Sequence, residues 1–170
     1  MDKSIKKRKT NRVPGYNYSK NGTYFVTICT DNHKYIFGNF APLTVGDCVY
    51  AVPEISLSPI GELIEKYIEF MGNKYDYVSV DKYVIMPNHI HLLISIEHER
   101  GLSQVPTPTN NTLPKFVSLF KRYCNREAGY NLFQRSFYEH IIRNEKDYLI
   151  HWEYIENNPI KWETDDYFIK

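Results

Sequence analysis

The sequence predicts an α+β domain in which helices pack against one face of an antiparallel sheet. Three observations lead there. Segments dense in β-branched and aromatic residues alternate with segments whose apolar residues recur at helical spacing. Two of the strand-like segments are joined by only Pro87-Asn88, a connection that permits antiparallel pairing and nothing longer. The chain of 170 residues, 42% hydrophobic and 24% charged, has no internal repeat and is large enough to bury one ordinary core.

Thr23–Thr30 (TYFVTICT) reads as the first core strand. Short apolar pieces around Ile36-Phe37 and Val49-Tyr50-Ala51, broken by Gly, Pro and Asn, suggest small hairpins. Ser58-Pro59 is an N-cap followed by proline at the first helical position. Ile60, Leu63, Ile64, Tyr67, Ile68 and Met71 then recur at helical spacing as far as Gly72. Val78–Met86 and His89–Glu97 form a hairpin, and residues 101–114 form a loop rich in proline and side-chain amides. Pro114 opens an amphipathic helix with Phe116, Val117, Phe120, Tyr123 and Cys124 on one side and Lys115, Lys121, Arg122 and Arg126 towards the other, ended by Gly129. Phe133–Ile142 reads as the last strand. Asn144 caps a final helix through Tyr148, Leu149, Trp152 and Ile155 that stops before Pro159.

Composition narrows the class of function. No apolar run approaches the roughly 18 residues that a membrane span needs. The basic start of the chain lacks the apolar segment of a secretory signal, and Cys29, Cys48 and Cys124 are odd in number without CxxC spacing. Reduced thiols and a cytoplasmic location are the expectation. Residues 1–20 carry Lys3, Lys6, Lys7, Arg8, Lys9, Arg12 and Lys20 against Asp2, a local +6. With +1 for the whole chain, the remainder stands at −5. A basic arm over residues 1–20 ahead of a single domain over residues 21–170 fits a phosphate-tracking segment, and equally a solvated tail.

The chemistry centres on Tyr83–Leu92 (YVIMPNHIHL). Residues i and i+2 of a strand share a face, so His89 and His91 can reach one metal ion, while Ile90, Leu92, Ile94 and Ile96 turn to the core. The pair alone fits a structural role on a half-exposed strand as well as it fits a metal site. On the last helix Tyr154 and Asn158 are four apart and share a face. The Asn158 amide oxygen is a hard donor that suits Mg²⁺ or Mn²⁺ better than Zn²⁺, and it would fix the phenol beside the metal. A phenol of pKa about 10 is only about one-thousandth ionised at pH 7, a deficit of roughly 4 kcal/mol. A Lewis acid on the phosphodiester contributes stabilisation of that order.

Three separated segments, Tyr83–Leu92, Gln134–Asn144 (QRSFYEHIIRN) and Tyr154–Pro159 (YIENNP), with Gly15–Tyr18 and Tyr24–Thr30 ahead of them, resemble the REP-associated tyrosine transposases, a branch of the single-tyrosine HUH transposases. The resemblance covers nearly the whole chain. It implies a ferredoxin-like (RRM-like) fold acting on single-stranded or hairpin DNA, with His89 and His91 as the metal pair and Asn158 completing a Mg²⁺ or Mn²⁺ site. Tyr154 would attack a backbone phosphate and leave a 5′-phosphotyrosine and a free 3′-hydroxyl. The wider group typically carries glutamine four residues after the tyrosine, so Asn158 departs from that group and fits the REP-associated branch.

Around this set, His140, Arg135 and Arg143 are DNA-binding or supporting candidates, as are Lys121, Arg122, Lys7 and Arg8. Trp152 and Trp162 lie near the tyrosine and fit core packing better than base stacking. Tyr148 and Tyr138 are the rival nucleophiles. Resealing from a phosphotyrosine needs no external energy source, and no Gly-rich phosphate loop is present, so no nucleotide is implied. The competing readings are a non-catalytic nucleic-acid-binding module and a zinc hydrolase built on the two histidines. A monomer using its own tyrosine and a homodimer that exchanges the last helix both fit, and the short connection weakly favours the monomer.

Overall fold

The computed structural model describes residues 15–41, 54–98 and 111–168. Lys7, Arg8 and most of the basic arm, Cys48, the hairpin expected around Val49-Tyr50-Ala51, and residues 101–110 of the expected loop lie outside them. Chain order runs β1 (Gly22–Cys29), β2 (Gly38–Ala41), β3 (Glu54–Leu57), α1 (Pro59–Gly72), β4 (Val78–Met86), β5 (His89–Ile96), α2 (Thr112–Ala128), β6 (Tyr138–Ile141) and α3 (Glu145–Asn157). The main sheet is antiparallel in the order β4-β5-β1-β6, and β2 pairs with β3 in a separate ribbon. Setting the ribbon aside, the order β-α-β-β-α-β is the ferredoxin-like arrangement that the family resemblance implied.

Alternation along β5 decides what each face does. Ile90, Leu92, Ile94 and Ile96, with Tyr24, Val26 and Ile28 of β1, face α1 and α2. Those helices meet them with Ile64, Ile68 and Met71, and with Phe116, Val117, Phe120 and Cys124. Both helices start and stop on local signals: the Ser58 side chain accepts from the Gly61 amide, and Gly129 closes α2 at φ 79°, a conformation that glycine adopts without strain. Phe25 and Leu93 face the other way, where Ile155 of α3 packs on them with Tyr148 and Trp152 at its margin. The second face is thus covered too, by the helix that carries Tyr154.

Two segments differ from expectation. The packed region begins before residue 21: Tyr18 is buried, and the Ser19 hydroxyl accepts from the backbone amides of Asn111 and Thr112 at the start of α2. The last strand is shorter than Phe133–Ile142. Leu132 and Phe133 turn into the core, where Phe133 meets Phe37 and Phe120, so only a single bridge to Thr30 forms before the chain rejoins the sheet at Tyr138. Apolar content alone does not separate a residue in a strand from one plugging a core.

Candidate active site

The register of β1 against β5 sets Cys29 opposite His89 and Thr27 opposite His91. Both imidazoles lie on the α3 side of the sheet and are 0% and 1% exposed. Their Nε2 atoms face each other at 2.9 Å. Each Nδ1 is held from behind, His89 by Asn88 Oδ1 and His91 by Thr27 Oγ1, both at 2.9 Å. Asn88 Nδ2 donates to the Tyr167 carbonyl, which fixes the amide so that Oδ1 accepts the His89 Nδ1 proton and turns the His89 Nε2 lone pair towards His91 Nε2. Burial pushes His89 down to about 4 against a partly compensating Asp165, and pushes His91 well down, with His89 and His151 adding to it. Both rings are therefore neutral at pH 7, the form that ligates metal. Opposite His89, burial raises the Cys29 thiol to about 11, so it is protonated at pH 7.

α3 brings the remaining groups. The Asn144 side chain accepts from the Asp147 amide at its start, and Ile155 seats it on Phe25 and Leu93. The Tyr154 ring then stands edge-on to His91 at 5.1 Å and to Phe25 at 5.7 Å, with the side chain still 40% exposed. One turn later Asn158 is 2% exposed. Its Nδ2 donates to Asp165 Oδ2 at 2.9 Å, and its Oδ1 is buried without a hydrogen-bond partner among the described residues. A buried carbonyl left so costs on the order of 1–3 kcal/mol, and a cation is the kind of partner that satisfies it. Two imidazole nitrogens and an amide oxygen are a donor set that fits a divalent ion. Two donors at right angles, each about 2.1 Å from an octahedral ion, are about 3 Å apart, close to the observed nitrogen separation.

The phenol is not ionised at rest. Burial raises its pKa well above the usual value and the Asp165 carboxylate raises it further, accepting the Tyr154 hydroxyl proton at 3.2 Å. Tyr154, Asn158, Lys161, Thr164, Asp165 and Asp166 line an open cleft of about 150 Å³. Of the rival tyrosines, Tyr138 is exposed on β6 and Tyr148 points its hydroxyl at Asp81, 3.4 Å away. Sequence reasoning missed Asp165, Thr27, Asn88 and Tyr167, whose ring lies 4.7 Å from that of His89. Thr27 was open to detection, because it shares a strand face with Phe25 and Cys29. Asp165 carried no local signal.

Other expected residues have different surroundings. His140 Nε2 bonds Asp147 at 3.0 Å, and its ring stacks on His151 at 4.6 Å and 18°, tying β6 to the start of α3. His151 Nδ1 reaches the same carboxylate at 3.2 Å, so the ligand atoms of His140, Asp147 and His151 lie within 4.8 Å of one another, and the group ties β6 to α3. Lys121 Nζ donates to the carbonyls of Gln134 and Ser136, and burial lowers its pKa to about 8. It supports the irregular segment before β6. Arg122, Arg135 and Arg143 are exposed. Trp162 is buried beside Phe40, and Trp152 lies under the Lys82 ammonium, 4.4 Å from its ring, so core packing accounts for both.

Residues 54–158 match the family model described as the IS200-like transposases. The chain belongs to that family. A Haemophilus influenzae protein described only as uncharacterised is 34% identical to this IS200-like chain, over 97% of it and 95% of the relative. A REP-associated tyrosine transposase of Escherichia coli K12 is 28% identical over 48% of this chain and 44% of its own length, so this chain spans less than half of that relative. A solved REP-associated tyrosine transposase, bound to a REP hairpin, superposes with TM-score 0.58 at 22% identity, covering 85% of this chain and 70% of that one. That likeness establishes the shared fold. Among the described residues, no helix is long and apolar enough to cross a membrane.

Proposed function

We propose that this IS200-like transposase chain cleaves and rejoins single-stranded or hairpin DNA, with Tyr154 as the catalytic nucleophile. The observation that supports the reading is the approach of the Tyr154 ring of α3 to the facing His89 and His91 imidazoles of β5, with the buried, unpartnered amide oxygen of Asn158 one turn on from Tyr154. A hairpin substrate is suggested by the solved relative, which is bound to one.

His89, His91 and Asn158 would hold Mg²⁺ or Mn²⁺. When bound, the ion supplies Lewis-acid polarisation of the scissile phosphate. The chain supplies the rest. Phe25 and His91 pack against the phenol ring, so attack by the Tyr154 oxygen is pre-oriented. The new P–O bond forms as the P–O3′ bond breaks, leaving a 5′-phosphotyrosine. The departing oxygen gains a proton and becomes a 3′-hydroxyl, and the reverse reaction reseals the strand. Tyr154 carries its proton at rest, and the Asp165 carboxylate that accepts from its hydroxyl at 3.2 Å is positioned to take that proton as the bond to phosphorus forms.

Incubating the full chain with a labelled hairpin oligonucleotide and Mg²⁺ or Mn²⁺ should give a protein–DNA adduct that survives denaturing electrophoresis. Tyr154→Phe should abolish it while leaving hairpin binding within a few-fold of wild type. An adduct that persists in Tyr154→Phe contradicts the assignment. Hairpin binding with no adduct under either metal would instead mark a non-catalytic binding module.

A further inference from the structure

Asp165 lies beyond residue 158, where the family match ends, yet its carboxylate stands at the centre of the site. Oδ2 accepts from Asn158 Nδ2 at 2.9 Å and from the Tyr154 hydroxyl at 3.2 Å, and Oδ1 accepts from the Tyr167 amide at 2.7 Å. One carboxylate oxygen of Asp165 and one nitrogen each of His89 and His91 all lie within 4.8 Å of one another. The residue is pinned from both sides: Trp162 is buried against Phe40 and 5.9 Å from the His89 ring, and the Tyr167 carbonyl accepts from Asn88.

Charge gives this placement its consequence. Two imidazoles and an amide are neutral donors, so a divalent cation held by them alone keeps its whole charge in a region where both histidines are almost fully buried, and that is unfavourable. A carboxylate has about four lone-pair positions, and the bonds described here use three, which leaves one on Oδ1. Its oxygen also has the hardness that Mg²⁺ and Mn²⁺ select. We infer that Asp165 is a fourth protein ligand of the divalent metal, added to His89, His91 and Asn158 by the segment that follows α3. This inference rests on the metal-site reading above and deepens it. It makes the segment after the family match a working part of the site, and it sets the site's preference towards hard cations.

The test measures metal binding directly on the full chain. Titration of Mn²⁺, followed by the loss of the free-ion electron paramagnetic resonance signal, should show saturable binding to wild type, at least about tenfold weaker in Asp165→Asn. Asparagine keeps the size of the side chain and an oxygen that accepts from Asn158 and Tyr154, so the thermal midpoint without metal should stay within a few degrees. Wild-type chain labelled with ¹³C-carboxylate aspartate should show a ¹³C hyperfine coupling to bound Mn²⁺. That coupling should persist in Asp166→Asn and vanish in Asp165→Asn, and the wild-type measurement stands even if the latter variant folds poorly. Mn²⁺ affinity of Asp165→Asn within twofold of wild type, or no ¹³C coupling, overturns the ligand role while leaving the metal site intact. Failure of wild type to bind Mn²⁺ at all overturns the metal-site reading itself.

Discussion

His89 and His91 are ordinary imidazoles whose behaviour is set by where two strands place them. Their rings are buried and uncharged, while an unfolded chain leaves histidine with a pKa near 6.5. The folded pKa is lowered, so the unfolded state binds more protons as pH falls, and stability present above about pH 6.5 is lost on acidification towards 4. For His89 alone the loss at pH 5 is on the order of 2 kcal/mol. Chemical denaturation at pH 7 and pH 5 should show it, His89→Gln should flatten the dependence, and a profile unchanged by that substitution contradicts the burial account. Metal affinity of the folded chain should hold until the pH approaches about 4, the folded His89 value, where protons begin to compete for the same nitrogen. At this scale the structure has both imidazoles on one side of the sheet, and the shared strand face of His89 and His91 was legible because strand periodicity is local. Asp165 was not: what places it at the site is the path of the chain after α3, and no spacing encodes that.

α3 is the element on which the site depends, and its attachment is thin. Ile155 is its buried anchor, helped by the His140–Asp147 pair at one end and the Lys82–Glu156 ion pair, 3.1 Å, along its length. The ion pair is exposed on the Glu156 side and contributes little. Ile155→Ala should cost about 2–5 kcal/mol, taken mostly from the docking of α3. Hydrogen exchange should quicken across residues 145–157 before it changes in β1 and β5, and adduct formation should fall with it. Phe120→Ala, in the other layer, should cost about 3–5 kcal/mol of global stability and quicken exchange throughout. Equal exchange profiles for the two variants would contradict a separately docked helix. The caps at Ser58, Asn144 and Gly129 were readable because each acts on its own turn. The true extent of β6 was not, because Leu132 and Phe133 leave the sheet for a core contributed by α2 and by residues near β2.

For the whole molecule, the sheet divides labour between its faces. One face joins α1 and α2 in the main core and fixes the register that sets His89 and His91, and the other receives the helix that brings Tyr154 and Asn158. We propose that the basic arm adds an electrostatic term to DNA binding. Removing residues 1–12 deletes six cations, which at about 0.7 per phosphate contact should lower the salt slope of hairpin binding by up to about 4. An unchanged slope would mark the arm as a solvated tail. The central claim is that folding unites Tyr154 of the last helix with the histidine pair of β5 in one site. Its most direct test is to digest the protein–DNA adduct and locate the modified residue by mass spectrometry. The account predicts the nucleotide remnant on Tyr154 alone. A remnant on Tyr167, Tyr148 or Tyr138 contradicts it.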